Sequence, residues 1–165
     1  MERVKKIRNH PLYVENQKRI DELELNRIFC CHGVNHSLDV ARILYIFVLE
    51  QGLSYQKDVI YATALLHDLG RGLEYEEQVS HHEMGANLAR HILSECDFSV
   101  EEIALITEAI AGHRTGEIKQ TDNEENRIFY DLFYQADKMS RNCFDCAASE
   151  AGYWEQEKRN YSIRY

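Results

Sequence analysis

The chain has no long apolar run. Its longest, Ile43 to Leu49, falls far short of the roughly 18 residues that suggest a membrane-spanning helix, so no span is expected. An excess of positive charge is missing as well. Nineteen Lys and Arg against 28 Asp and Glu give a formal net charge of −9, which argues against a broad nucleic-acid or anionic-membrane surface. An anionic ligand would have to be drawn in locally. The N-terminus is charged and no apolar signal-like stretch follows it, so a cytoplasmic location is expected. Without a secretory signal, and with an odd number of cysteines (Cys30, Cys31, Cys96, Cys143, Cys146), reduced thiols are expected rather than a disulfide framework. There is one proline, and there is no internal repeat, low-complexity tract or credible strand.

What remains is an all-α pattern of ordinary globular composition, 44% hydrophobic and 28% charged over 165 residues, which suits one domain spanning 1–165. Pro11 suits the first turn of a peripheral helix that reaches Leu25 and carries Val14, Ile20 and Leu23 among charged residues. Gly33 breaks the chain before a helix from His36 to about Glu50, apolar on nearly every face and therefore expected to be the central buried one. Ser54 can cap the next helix, which Gly70 and Gly72 end, and an acidic loop from Glu74 to Gln78 follows. Two capping boxes, Ser80 with Glu83 and Ser99 with Glu102, open two further helices. The polar stretch Glu117 to Asn126 reads as a surface loop before a last core helix, Arg127 to about Arg141. A polar tail with Cys143, Cys146, Tyr153 and Trp154 completes the chain.

The helices carry polar groups on their apolar faces. His36 shares a stripe with Val40, Ile43 and Phe47; His67 continues the stripe of Ile60 and Ala64, with Asp68 turned about 100° further round. Ile103, Ile106 and Ile110 aim His113 inward, and Phe129 and Phe133 do the same for Asp137. His81 and His82 lie in the first turn of their helix, where the helix dipole disfavours a cation and so favours neutral imidazole, the metal-binding form. Desolvating an imidazole or a carboxylate without a partner costs several kcal/mol, about 2–7 even for an uncharged polar group. A metal ion is a partner that suits both.

These residues, in their order, resemble the two-metal (H…HD…H…H…D) branch of the HD-domain metal-dependent phosphohydrolase superfamily. The matching stretches are His36 to Arg42, Leu65 to Gly70, His81 to Ala86, Ala109 to Gly116 and Ala136 to Ser140, spread over a core of about residues 27 to 142. The resemblance implies a helical bundle with the metal site at its centre. It implies that His36, His67, Asp68 and Asp137 hold a first metal and that His81 and His113 hold a second, with Asp68 bridging. His81 is favoured over His82 because the family's histidine stands four residues before the small residue matched by Gly85. Four imidazoles and two carboxylates suit divalent iron or manganese better than magnesium. Two such ions, about 3.5–4 Å apart, can share a hydroxide and clamp a phosphate for in-line attack.

Arg71 stands where the cyclic-dinucleotide phosphodiesterase branch has a phosphate-contacting lysine, so with Asp68 it is a candidate catalytic residue. Its alternative is a solvated arginine at a helix end. His32, Lys138 and Arg141 are candidate substrate contacts, each with a surface or loop alternative. The stretch around His113 is most similar to small bacterial hydrolases of diadenosine tetraphosphate. The Gly-Tyr-Pro signature of the cyclic-dinucleotide branch is absent, and so are the acidic motifs of guanosine-polyphosphate hydrolases. The expected function is hydrolysis of a small anionic phosphate-containing substrate, a nucleotide or another phosphoester, rather than action on a nucleic-acid polymer or a membrane. The alternatives are a di-iron oxygenase of the same fold and a non-catalytic nucleotide-binding regulator. An oligomer is possible. Cys143 and Cys146 lack the second pair of a zinc site and read as incidental thiols.

Overall fold

The computed structural model describes residues 1–114, 123–151 and 155–165. Among these there are eight α-helices, two 3-10 turns and no strand. In chain order the helices are α1 (Glu2–Asn9), α2 (Pro11–Leu23), α3 (Val34–Glu50), α4 (Lys57–Leu66), α5 (Arg71–Glu77), α6 (His81–Ser94), α7 (Val100–Gly112) and α8 (Glu124–Met139). The all-α expectation holds. None of the helices is long and apolar enough to cross a membrane.

α4 packs against α3 on one side and α7 on the other, α8 lies across α3 and α7, and α6 pairs with α7. Leu44, Ile60, Leu66, Ile106, Phe129 and Phe133, at most 1% exposed, interlock at the centre of the core. The most buried helix is therefore α4, not α3 as its all-round apolar pattern had implied. From Val59 to Leu66 only Tyr61 escapes burial, whereas Ile46 and Leu49 of α3 are 36% and 59% exposed. α4 can bury so much because its one buried hydroxyl is satisfied within the helix, Thr63 Oγ1 donating to the Val59 carbonyl at 2.9 Å.

Several local expectations are corrected. α1 is a helix the sequence reading omitted. Its Val4 and Ile7 are buried, and Arg3 reaches across to α4 and α7, bonding both carboxylate oxygens of Asp58 (2.5 and 2.7 Å) and both of Glu102 (2.6 and 3.0 Å). On α2 the inward face is Tyr13, Asn16, Gln17 and Ile20, while Val14 and Leu23 point to solvent. Gln56, not Ser54, occupies the N-cap of α4. The expected acidic loop is instead α5, whose C-cap Gln78 takes a left-handed φ of 57°. Ser99 and Glu102 form the capping box, with bonds of 3.2 and 2.8 Å. Ser80 stands at the N-cap of α6 but makes no capping bond, its hydroxyl lying instead 2.9 Å from the His82 ring. α8 begins at Glu124, capped by Asn123, three residues before the expected start. Of the loop expected from Glu117, residues 117–122 lie outside the described residues, as do Thr115, Gly116, Tyr153 and Trp154.

Candidate metal centre

Five helix ends meet at one point, the N-termini of α3 and α6 and the C-termini of α4, α7 and α8. His67 is the C-cap of α4 and His113 the C-cap of α7, and each turns Nδ1 back onto the carbonyl three residues before it, Ala64 at 2.7 Å and Ile110 at 2.6 Å. His36 lies in the first turn of α3 and is tied through Nδ1 to Ser140 Oγ at 3.2 Å. With Nδ1 engaged, each ring is left with Nε2 facing the centre. His81 is the first residue of α6. Its approach to the turn after α4 depends on Gly70, where a Cβ would stand 2.2 Å from the His81 carbonyl oxygen. Gly85 lies one turn into α6 against the His67 carbonyl. Asp137, in the last turn of α8, is buried at 7% exposure.

Asp68, 4% exposed, is at the centre. Its Oδ2 is 2.9 Å from His67 Nε2 and 3.5 Å from His36 Nε2, and its Oδ1 is 3.7 Å from His113 Nε2 and 3.9 Å from His81 Nε2. Two triads that can hold a metal ion result, His36–His67–Asp68 and Asp68–His81–His113, with Asp68 common to both. Asp137 Oδ1 joins the first triad, 3.4 Å from His36 Nε2 and 3.8 Å from His67 Nε2. All six residues named from the sequence are thus brought together. His82 is outside both triads.

The charges sort in the same way. Burial alone would raise Asp68, but the charge of His67 and hydrogen bonds from His113, His36 and His67 hold it well below the usual carboxylate range. Burial likewise opposes ionisation of Asp137, and His36, His67 and Lys138 overcome it. Burial pushes His67 down, yet Asp68 and Asp137 raise it to about 10. His81 goes the other way: burial and the nearby Arg71 charge lower it to about 4, so its ring is neutral.

Both ring nitrogens of His81 are buried without a hydrogen-bond partner. Nδ1 is 2.8 Å from Glu74 Oε1 but off the line of a hydrogen bond. A neutral imidazole left this way costs about 1–3 kcal/mol for an unsatisfied polar atom. A divalent cation on Nε2 removes that cost, and imidazole with carboxylate is a donor set that transition metals accept. The residues present fit a metal.

Around the cluster, Arg71 is not a continuation of the α4 helix, as the sequence had suggested, but the first residue of α5. It nonetheless reaches Asp68 Oδ1 through Nε at 3.0 Å and Glu74 Oε2 through Nη1 at 2.9 Å. Lys138 pairs with Asp137 and donates to the His113 carbonyl at 3.4 Å. Arg141, just past α8, is buried, and its charge counters the rise that burial imposes on the Cys30 thiol. His32 stacks edge-on against His36 with centroids 5.8 Å apart. It is held by Glu24, whose carboxylate accepts from the His32 backbone N–H at 2.6 Å, lies 2.5 Å from ring Nδ1 and accepts from Tyr75 Oη at 2.6 Å. Sequence reasoning missed Glu24 and Glu74. Each is one carboxylate among many in a charged segment, and only its burial or its partners set it apart. Cys143 and Cys146 are free, half-buried thiols and belong to neither triad.

The model of the HD domain matches residues 33–142. The chain belongs to the HD-domain family. It is similar over all 165 residues, at 38% identity, to an uncharacterized protein of Clostridium beijerinckii, the two aligning end to end. It is 30% identical over 109 residues to ribonuclease Y 1 of Pediococcus pentosaceus, which covers 65% of this chain and 19% of that protein. A ribonuclease Y of Pelobacter propionicus is 30% identical over 131 residues, 79% of this chain and 22% of its own. The chain thus spans about a fifth of the length of these ribonucleases. No solved structure matches it. Glu24 and His32 precede the matched HD domain, so α2 and its following loop add groups of their own beside its centre.

Proposed function

We propose that this HD domain is a metal-dependent phosphohydrolase that holds two divalent transition-metal ions, iron or manganese, and cleaves a small phosphate-containing anion. One observation carries this reading: two ligand triads share the Asp68 carboxylate. His36, His67 and Asp137 would hold one ion with Asp68, and His81 and His113 the other. When bound, the ions supply Lewis acidity toward phosphate oxygens and lower the pKa of water that attacks phosphorus.

The protein's own groups do the rest. His67, His113 and His36 keep their orientation because Nδ1 of each is engaged by Ala64, Ile110 and Ser140. Arg71 and Lys138 bring positive charge to a centre whose carboxylates are ionised, which offsets the repulsion a phosphate would otherwise meet in a chain of net charge −9. An arginine can meet two phosphate oxygens with two parallel bonds. Glu24 fixes His32 beside His36, where it can meet the part of the substrate that the ions do not hold.

The test is elemental analysis of the protein as purified, then turnover with iron or manganese. The panel holds mononucleotides, diadenosine tetraphosphate, bis(4-nitrophenyl) phosphate and a short RNA. Release of phosphate or a nucleotide from a small substrate supports the reading. Cleavage of the RNA alone would favour the chemistry named for the ribonuclease relatives, and oxygen consumption without hydrolysis would replace the reading with an oxygenase.

A further inference from the structure

His81 differs from the other three imidazoles in what its Nδ1 can find. His67 and His113 end helices, so a carbonyl three residues back is in line for each ring. His81 begins a helix. The residue three before it, Gln78, lies outside α6 in a left-handed conformation, φ 57°. No helical carbonyl is available there, and a partner must come from another element. Glu74 of α5 is that partner: Oε1 lies 2.8 Å from His81 Nδ1 and 3.2 Å from Arg114 Nη1, and Oε2 lies 2.9 Å from Arg71 Nη1. One carboxylate therefore touches His81, the residue after His113, and the arginine bound to Asp68. These three reach the three members of the second triad.

We propose that Glu74 is the positioning residue of the second cation site, accepting His81 Nδ1–H so that Nε2 is presented to the ion, and tethering Arg71 and Arg114 on either side. This rests on the two-ion reading above. Glu74 touches no ion itself. The off-line contact in this structure is the loose form of that bond, which tightens once Nε2 donates to a cation and Nδ1–H becomes more acidic. The first triad needs no such residue, because its rings are oriented by Ala64 and Ser140.

The test is calorimetric titration of metal-stripped protein with manganese(II), with bound ions counted by elemental analysis, for the wild type, Glu74→Gln and Glu74→Asp. Loss of a carboxylate that orients a ligating histidine lowers metal affinity about 10- to 100-fold. That loss is expected for the second ion in Glu74→Gln, with the first ion within about twofold and partial recovery in Glu74→Asp. A zinc(II)-loaded sample gives a second readout, the 15N shift of His81. Its Nδ1 should be protonated in the wild type and lose the carboxylate signature in Glu74→Gln. Should Glu74→Gln not fold, Glu74→Asp and the wild-type 15N shift carry the test. A wild type that takes up one ion refutes the two-ion reading and this proposal with it. Two ions in the wild type, with unchanged affinities in Glu74→Gln, refute the proposal alone. An equal fall at both sites refutes it too, because a general loss of negative charge acts on both.

Discussion

Replacing Gly70 by alanine should damage stability and the second cation site together. The new Cβ would stand 2.2 Å from the His81 carbonyl oxygen and 2.7 Å from the Gly85 nitrogen. A carbon rests against a carbonyl oxygen at about 3.3 Å, so α6 or the turn after α4 must retreat by about 1 Å. Both obstacles are backbone, and no rotamer relieves them. Overpacking of this kind costs about 1–3 kcal/mol, and the clash belongs at the upper end. Gly70 has an ordinary φ of −80°, so the loss of freedom in the unfolded chain returns about 0.4–1 kcal/mol. The net is about 2 kcal/mol, or a fall in Tm of about 4–8 °C for a chain of this size. A 1 Å retreat carries His81 away from Asp68, and second-ion affinity should fall with it. Gly85→Ala has one tight contact, the His67 carbonyl at 3.0 Å, with Ile110 and the Gly70 nitrogen at ordinary distances of 3.5 and 3.6 Å, and it gains helix propensity, so its change should stay within about 1 kcal/mol. At Gly52, φ 66° with open space around it, alanine should cost about 1 kcal/mol through the backbone and leave metal binding alone. Chemical denaturation and manganese titration of the three variants decide the matter. A Gly70→Ala protein with wild-type stability and two tight ions would refute the argument from close approach.

His81→Ala should empty the second site while His82→Ala leaves it filled, because only His81 joins a triad; elemental analysis showing the reverse would overturn that assignment. Asp68→Ala should weaken both ions, as calorimetry can show, since its two oxygens face the two triads. Metal uptake should release protons at neutral pH. His67, raised to about 10 by Asp68 and Asp137, is protonated in the metal-free protein and must lose that proton to ligate, so buffers of different ionisation enthalpy should give different apparent heats. Arg3→Ala should destabilise the fold by about 1.5–3 kcal/mol, the worth of hydrogen bonds to charged groups. The Asp58 part of this is acid-sensitive. Arg3 holds Asp58 below its ordinary value of 3.8, so the contribution is present above that pH and fades as pH falls through the depressed value. Denaturation midpoints of wild type and variant should therefore converge as pH falls below 3.8.

The sequence disclosed the site better than it disclosed the helices around it. His36, His67, His113 and Asp137 are legible because each interrupts an apolar stripe, and a stripe fixes which way a side chain points, whereas Asp68 and His81 are picked out by adjacency to His67 and by a place in a helix's first turn. The preference for His81 over His82 came from the family resemblance, through the spacing to Gly85, and of the two only His81 lies in a triad. Glu74 and Arg71 were misplaced for a shared reason. Five of the eight residues from Arg71 to Gln78 are charged or amide side chains and form no apolar stripe, so a helix that is held by its salt bridges to Arg19, Asp68 and Arg114 leaves no periodic trace. α1 escaped for a related reason, since only Val4 and Ile7 are apolar and its attachment is the Arg3 network. α3 was overrated because apolar residues such as Leu49 do face solvent, and composition cannot say which.

Arg71 is where the structure changes what should be expected. Its guanidinium is 3.0 Å from the Asp68 oxygen that faces His81 and His113, on the side where a second cation would bind. A positive charge so close competes with a metal for the same carboxylate. Removing it should leave cation affinity unchanged or raise it, opposite in sign to the effect of Glu74→Gln. An ion held by Asp68 would repel the guanidinium, and Glu74, 2.9 Å from Arg71 Nη1 in this structure, would keep it near enough to meet a substrate phosphate. Arg71→Ala should then lower kcat by about 10²–10³ and change KM less, because the interaction is made in the transition state. Arg71→Lys should recover part of the rate, since a point charge remains but the paired bonds do not. Steady-state kinetics on the substrate that the panel identifies, with manganese affinity measured on the same samples, separates the roles. A weaker second ion in Arg71→Ala would show that the guanidinium orients Asp68 for metal, and unchanged kinetics would remove it from the reaction altogether.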